Sequence, residues 1–395
     1  MVELLAPAGD LDKLKTALIY GADAVFVGGQ NFSLRARASN FSIDDLKNAA
    51  QFAHRLGKKI YVTTNIIPHQ EDLDGLVPYL KALENAKVDA IITASPAIIH
   101  EAKANTNLEI HLSTQQSAIN ANTVNYWYKK GVKRIVLGRE LSLTEINGVS
   151  AKTDADLEVF IHGGMCMSYS GRCSLSDNMT GRDANRGGCA HSCRWSYTLE
   201  IDGAKQEKLF SMSSKDLQAL KQTVSLIEAN VKSLKIEGRM KSQHYIATVV
   251  KTYRMLIDEY MKTGKINDYS IYESLISKSE NRETSFGYLE GLPGLEQQLY
   301  SGQGEKPNQE FIGFVLEDSD DKNLVKIEQR NFFNVGDKIE VFSPNEEERY
   351  FTLTKMYDEE FNEIEVARHP KQVLYILIPF KVVSFSMLRK SDSND

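Results

Sequence analysis

Residues Val2 to Gly28, VELLAPAGDLDKLKTALIYGADAVFVG, set out a strand, a helix and a second strand. Val2–Ala6 and Ala24–Gly28 are short apolar runs, as expected of strands covered on both faces. Between them Asp10 is placed to cap a helix that runs to Tyr20. Its Leu11, Leu14, Ala17 and Leu18 form one apolar stripe, and Gly21 ends it. Such a βαβ unit calls for a parallel sheet. The same alternation continues down the chain, with strands expected near Lys59–Thr63, Ala90–Thr93, Leu108–Leu112, Arg134–Leu137, Leu157–Ile161 and Leu234–Ile236. Helices such as Ile43–Leu56 and Leu73–Ala86 lie between them. Eight strands alternating with helices predict an α/β architecture, a (β/α)8 TIM-like barrel. An open doubly wound sheet is the competing arrangement, but no strand is followed by a Gly-x-Gly-x-x-Gly turn.

The spacing breaks once, between the seventh and eighth strands, where an insertion spanning about 163–212 opens with the sequence GGMCMSYSGRC. A hairpin is expected there, Trp195–Ile201 with Gln206–Met212, turning at Asp202-Gly203. A helix capped by Ser213 or Ser214 should follow, running to about Ala229. After the eighth strand, Tyr245–Tyr260 reads as helix, and a Gly- and Pro-bearing polar stretch leads to a linker. From Phe311 the pattern becomes short alternating runs (IGFVLE, NLVKIEQ, DKIEVFS, RYFTLTKM, EIEVAR and YILIPFKVVSF), which predict a small β-barrel. The chain therefore divides into a barrel domain, 1–305, and a C-terminal β-domain, 306–395.

The charge is uneven. The net charge of −6 resides in the residues from Lys306 onward, which carry 12 basic and 18 acidic side chains, so the first 305 balance. Any nucleic-acid contact must then come from local basic residues rather than bulk charge. The opening MVELLAPAGD has no basic segment followed by a long apolar one, and no run approaches a membrane span. A cytoplasmic location is the expectation, in which grouped cysteines act as ligands or redox groups rather than disulfides.

All four cysteines, Cys166, Cys173, Cys189 and Cys193, fall in the insertion with spacing Cys-x6-Cys-x15-Cys-x3-Cys. Four thiolates can hold a 4Fe–4S cluster or close a tetrahedral zinc site. Zinc ribbons present two short spacings, whereas here only the last pair is close, and the glycine-rich spans suit a bulkier inorganic core. Disulfides or unligated thiols remain a third possibility.

Barrel geometry should gather a second set of residues at the strand ends: Asn65, His111, Gln115, Gln116, Arg139, Glu140, His162, Glu237 and Arg239. The loop after the second strand adds Asn31, Arg35 and Arg37. Arginines there suit a carboxylate or phosphate because the guanidinium fork is bidentate. Salt bridges to Glu140 and Glu237 are the structural alternative for each. Tyr169, His191, Trp195 and Tyr197 could stack an unpaired base or cover a cluster. His162, four residues before Cys166, permits a Cys–His nucleophile, but four grouped cysteines exceed that need. No His-Glu-x-x-His or Gly-x-Ser-x-Gly motif is present.

Glu158-x-Phe160-x-x-Gly163-Gly164-x-Cys166 and Gly171-x-Cys173-x-x-Ser176 resemble the signature of peptidase family U32. MTGRDANRGGCAHSCRW, LLAPAGD, GGQNFSLRARASNF and LKIEGRMKS extend the resemblance over nearly the whole chain. The family was labelled from collagenase-like activity, yet its better-understood members resemble one another as RNA or ubiquinone hydroxylation factors with a four-cysteine iron–sulfur cluster. Length and the added β-domain are most similar to the branch that hydroxylates bacterial tRNA. The resemblance implies Cys166, Cys173, Cys189 and Cys193 as ligands of a 4Fe–4S cluster, which zinc can replace after aerobic preparation. It implies prephenate-dependent formation of 5-hydroxyuridine at the wobble position, with the tRNA anticodon loop as partner. Arg35, Arg37, Asn65, Gln115, Arg139 and Arg239 are then candidates to bind prephenate or RNA phosphate, and His111, His162 and Glu237 to move protons. A collagenase-like peptidase, or a zinc-stapled non-catalytic partner of an RNA-modifying enzyme, is the alternative. A second family member or another protein is a further possible partner.

Overall fold

The computed structural model describes residues 2–34, 40–279, 282–300 and 310–391. Strands β1 (Glu3–Pro7), β2 (Ala24–Gly28), β3 (Lys59–Thr63), β4 (Ala90–Thr93), β5 (Glu109–Leu112), β6 (Arg134–Val136) and β7 (Asp156–Gly163) pair in order, each parallel to the next. The chain then leaves the barrel for a hairpin, β8 (Tyr197–Ile201) and β9 (Ala204–Phe210), and a short β10 (Asp216–Gln218). It returns as β11 (Ser233–Ile236), which pairs parallel with both β7 and β1 and closes an eight-stranded barrel. Helices α1 (Leu11–Ile19), α2 (Ile43–Arg55), α3 (Leu76–Asn85), α4 (Pro96–Asn105), α5 (Ala121–Lys129) and α6 (Leu143–Ser150) separate the first seven strands. Local chemistry explains their starts: Asp10 accepts from the Lys13 N–H at 2.9 Å, and Ser42 and Asp45 form a capping box on α2.

The barrel interior carries a charged layer. Glu158, fully buried, accepts from Lys235 Nζ at 2.7 Å and lies 3.4 Å from Arg134, which also reaches Glu3. Tyr61 donates to Glu3 at 2.7 Å, and Ser233 donates to the same carboxylate at 3.1 Å. The Lys235 ammonium rests over the Phe26 and Phe160 rings, so each buried charge meets an opposite charge or a π face.

The expected helix from Ser213 to Ala229 forms only in part. Its first half is β10, antiparallel to the end of β7, and only α8 (Thr223–Glu228) is helical. β7 runs past its barrel neighbours to Gly163, and the exposed edge takes backbone partners from Leu217 and Gln218. Asp216 is held there by Arg282 at 2.7 Å. Long-range pairing overrides local propensity. α9 (Gln243–Thr263) extends the predicted helix at both ends, and α10 (Ser270–Ser277) arises in the stretch read as polar and irregular. The linker residues 301–309 lie outside the described residues. No described helix is long and apolar enough to cross a membrane.

The C-terminal domain is an eight-stranded antiparallel sheet plus a two-stranded one. Its end strands, Arg349–Thr352 and Glu363–Ile364, do not pair with each other among the described residues, so the sheet forms a half-barrel. It seats on α1 and α9. Arg389, 1% exposed, donates to Glu340, to His244 Nε2 at 2.8 Å and to Thr248. Lys251 donates to the Ser343 and Glu346 carbonyls, and Tyr20 to those of Phe342 and Phe385. Burial and the adjacent Arg389 hold His244 well below the usual histidine range, leaving its neutral nitrogen free to accept. Arg389→Met removes one of the two cations on Glu340, leaving Lys278 at 2.8 Å, and should lower unfolding stability by about 1–3 kcal/mol in urea titration. An unchanged midpoint would show the interface contributes little.

Candidate metal centre and mouth pocket

The insertion is held to the barrel independently of its thiols. Glu140, just past β6, accepts from both the backbone N–H and the hydroxyl of Ser170. Arg186 pairs with Asp72 at 2.8 Å, and the Ile67 N–H donates to the Asn185 carbonyl. Asn185 in turn brackets Cys173, accepting from its N–H at 3.2 Å and donating to its carbonyl at 3.0 Å.

All four thiols are free. Cys173 precedes a short helix, α7 (Leu175–Thr180) by its place in the chain. Burial opposes its ionisation, but the Ser168 hydroxyl and the N–H groups of Ser176 and Leu175 donate to its sulfur and hold its pKa below the ordinary value. Cys193 behaves in the opposite sense. Burial raises its pKa, and the charges of Cys166, Cys189 and Cys173 add to the rise against the lowering effect of Arg194. The four sulfurs thus share one electrostatic neighbourhood in which together they repel. A positively charged centre relieves that repulsion.

The donor set is wholly sulfur, which suits zinc or an iron–sulfur core. Among the described residues, no three His, Cys, Asp or Glu side chains converge tightly enough to hold a single ion. Two buried donors in the same insertion, Ser192 Oγ and Arg182 Nε, have no partner among the described residues. Donors of this kind hydrogen-bond to sulfides and thiolates of a cluster. The residues present therefore fit a four-iron cluster.

Cys166, the exposed thiol, lines a pocket of about 140 Å³ at the barrel mouth. Thr114, Arg139, Glu140, Met165, Tyr169 and Tyr288 share the lining. Arg139 donates to the Gly164 carbonyl at 2.6 Å, lies 3.8 Å from Glu237 and stacks 3.9 Å above the Phe160 ring. These contacts fix the guanidinium at the pocket wall.

Other candidates fall elsewhere. Arg239 is buried, donating to Ser33 Oγ and Thr63 Oγ1 at 3.0 Å each and to Asn40 at 3.4 Å. A Cβ on Gly28 would overlap its guanidinium, and one on Gly9 its carbonyl. LLAPAGD, GGQNF and EGRM are thus three sides of one packing site, and Arg239 braces both ends of the loop after β2 rather than facing a ligand. Arg35 and Arg37 lie in that loop, outside the described residues. Asn65 accepts from the Leu34 N–H, and Gln115 donates to the Asn65 carbonyl at 3.4 Å and accepts from Ser113. Gln116 donates to the Ala94 carbonyl. These amides tie loops together.

His111 belongs to the barrel interior and not to the mouth. It bonds to Glu109 at 2.8 Å and meets Tyr61 edge-on, in register with Arg134. Burial lowers its pKa despite that carboxylate. His162 is 3% exposed, packed against Tyr245 and Tyr253, and burial with Lys241 nearby pushes its pKa down to about 3. It stays neutral near pH 7 and does not line the pocket. Of the three proton-transfer candidates, only Glu237 pairs with a residue of the pocket wall, 3.8 Å from Arg139. Tyr288 escapes the sequence reading because it lies in the stretch read as irregular, where strand β12 (Thr284–Ser285) pairs with β10. The aromatic pair Phe286 and Tyr288 was the available signal.

The model of peptidase family U32 matches residues 9–299, and that of the family's C-terminal domain matches 307–389. The chain is 46% identical to tRNA hydroxylation protein P1 of Bacillus subtilis (strain 168), over 98% of this chain and 94% of that protein. It is 32% identical to tRNA hydroxylation protein P of Escherichia coli (strain K12), over 100% and 97%. It is also 30% identical to a collagenase of Porphyromonas gingivalis (strain ATCC BAA-308 / W83), over 87% and 86%.

Proposed function

The chain belongs to peptidase family U32, and from that membership we propose that it is an RNA-hydroxylating enzyme acting on tRNA. In its finer form the reading is prephenate-dependent conversion of the wobble uridine to 5-hydroxyuridine. The observation that carries it is the junction of Cys166 and Arg139 in one mouth pocket, beside three further thiols in electrostatic contact. The relatives named as tRNA hydroxylation proteins support the same reading.

Cys166, Cys173, Cys189 and Cys193 would hold the 4Fe–4S cluster, which supplies one-electron transfer when bound. Arg139 offers its remaining N–H groups to a carboxylate of prephenate, its own orientation already set by Phe160 and Gly164. Glu237, beside it, is the group placed to take or give a proton. Tyr169, exposed at the rim, and Tyr288 present ring faces on which an unstacked base can lie. A peptidase reading needs an activated nucleophile, and His162, buried and neutral, is not placed to serve one.

The test is mass spectrometry of tRNA nucleosides from a deletion strain complemented with wild type or Arg139→Ala. Wild type should restore 5-hydroxyuridine, and Arg139→Ala should restore at most about a tenth, as expected for removal of a charge-assisted hydrogen bond of roughly 1.5–3 kcal/mol. Full restoration by Arg139→Ala, or gelatin cleavage that persists through repurification, would overturn the reading.

A further inference from the structure

We propose that the foot of α5 is a second RNA-contact surface, gripping the phosphate backbone of the stem behind the loop that enters the mouth. The proposal rests on the RNA reading above. From Ile110 to Arg139 the chain carries Lys129, Lys130, Lys133, Arg134 and Arg139 and no acidic residue. Arg134 is consumed in the barrel interior, Arg139 is at the mouth, and Lys133 lies 3.7 Å from Asp156. Lys129 and Lys130 remain, both exposed at the last turn of α5.

Two neighbouring helices add to them. Lys103, on α4, donates to the Lys130 carbonyl at 2.7 Å. Lys152, just past α6, is exposed next to Asn125, which donates to its carbonyl at 2.9 Å. None of these four ammonium groups has an ion-pair partner among the described residues. Of the nearby acids, Asp156 faces Lys133 and Glu101 is bonded by Asn105, which leaves exposed Asp154. A solvated helix face ordinarily mixes signs. Here one sign gathers from three helices in a chain of net charge −6.

Aromatic rings interleave with the amines. Tyr126 is 56% exposed and Tyr128 36%. The Lys130 ammonium lies 5.7 Å over the Tyr126 ring, which meets Trp127 edge-on at 5.3 Å. Amines beside exposed tyrosines suit phosphate together with ribose or base faces, more than an acidic peptide, which needs only the charge. Position agrees. The mouth pocket is lined by Thr114, just beyond β5, and by Arg139 and Glu140, just beyond β6. α5 is the helix between those strands and descends from that edge of the mouth. Its nine residues span roughly 14 Å, so a stem whose loop enters the pocket meets the lysines as it runs down the flank.

The experiment compares wild type with the double variant K129A/K130A and with Tyr126→Ala, by fluorescence anisotropy across a potassium chloride series. The probes are full-length tRNA and a stemless anticodon-loop oligonucleotide, and thermal melting checks the fold. The double variant should bind tRNA roughly tenfold more weakly, with the log–log salt slope shallower by about 2, one for each phosphate that a lysine no longer neutralises. Tyr126→Ala should weaken tRNA binding with little change of slope. Loop-oligonucleotide binding and hydroxylation should match wild type. Wild-type tRNA affinity and slope in K129A/K130A overturn the proposal, as does an equal weakening for the loop oligonucleotide. If wild type binds neither RNA, the RNA reading itself falls, a result distinct from those two.

Discussion

Replacing Cys173 with alanine should remove bound iron and sulfide, bleach the visible absorption of anaerobically purified protein and abolish RNA hydroxylation, while the barrel stays folded. Cys173 is the thiol whose anion the fold stabilises most directly, through donors from Ser168, Ser176 and Leu175. Its removal leaves three sulfurs and opens the side of the site nearest α7. The insertion should nevertheless stay docked, because Glu140–Ser170, Arg186–Asp72 and Ile67–Asn185 hold it without any thiol. The measurements are iron and acid-labile sulfide content, absorption spectra, thermal melting and tRNA nucleoside analysis. Anaerobic handling matters, since zinc can occupy thiolates once iron is lost. A Cys173→Ala protein with full iron content and full hydroxylation would falsify the ligand assignment.

Glu158→Ala should act on stability alone, and strongly. The carboxylate is fully buried between Lys235 and Arg134, and its removal leaves the Lys235 ammonium without its 2.7 Å partner. Breaking a buried pair from one side costs about 3–5 kcal/mol, readable in urea unfolding of the barrel. The wild-type pair also predicts a pH dependence. Burial raises the Glu158 pKa, but Lys235, Arg134 and His111 outweigh it, so the folded value lies below the unfolded one. The unfolded state then binds more protons, and the contribution is complete above the usual glutamate pKa and is lost as pH falls through the lower folded value. Glu158→Ala should therefore flatten the acid limb of the stability curve. An acid limb as steep as wild type would place its origin in other carboxylates.

The cysteine group and the barrel strands were legible for different reasons. The strands are continuous apolar runs bounded by caps and turn residues, information held within a few neighbours, and the predicted runs overlap β1–β7 and β11. The cysteines were legible as a group because no other part of the chain has any. The basic mouth was read less well. Arginine type alone does not tell a ligand contact from a brace, and Arg239 became a brace because Gly28 and Gly9 leave room for it against the sheet. His111 was read on a strand and His162 just past one, both gathered at the mouth, but their environments are set by Tyr61 and Glu109 in one case and Tyr245 and Tyr253 in the other.

By itself, then, the order of residues determined the eight-fold alternation of strand and helix, the excursion after β7 and the set of four thiols, because each is written in spacing and local pattern. Only the tertiary structure decided that Asp216–Gln218 is strand, that Tyr288 joins the pocket, and that Arg139 rather than Arg239 faces it. Those outcomes depend on partners far away in the chain: the exposed edge of β7, the pairing of β12 with β10, and the Phe160 ring beneath Arg139. Contacts of that range are properties of the closed barrel, and no local window of sequence contains them.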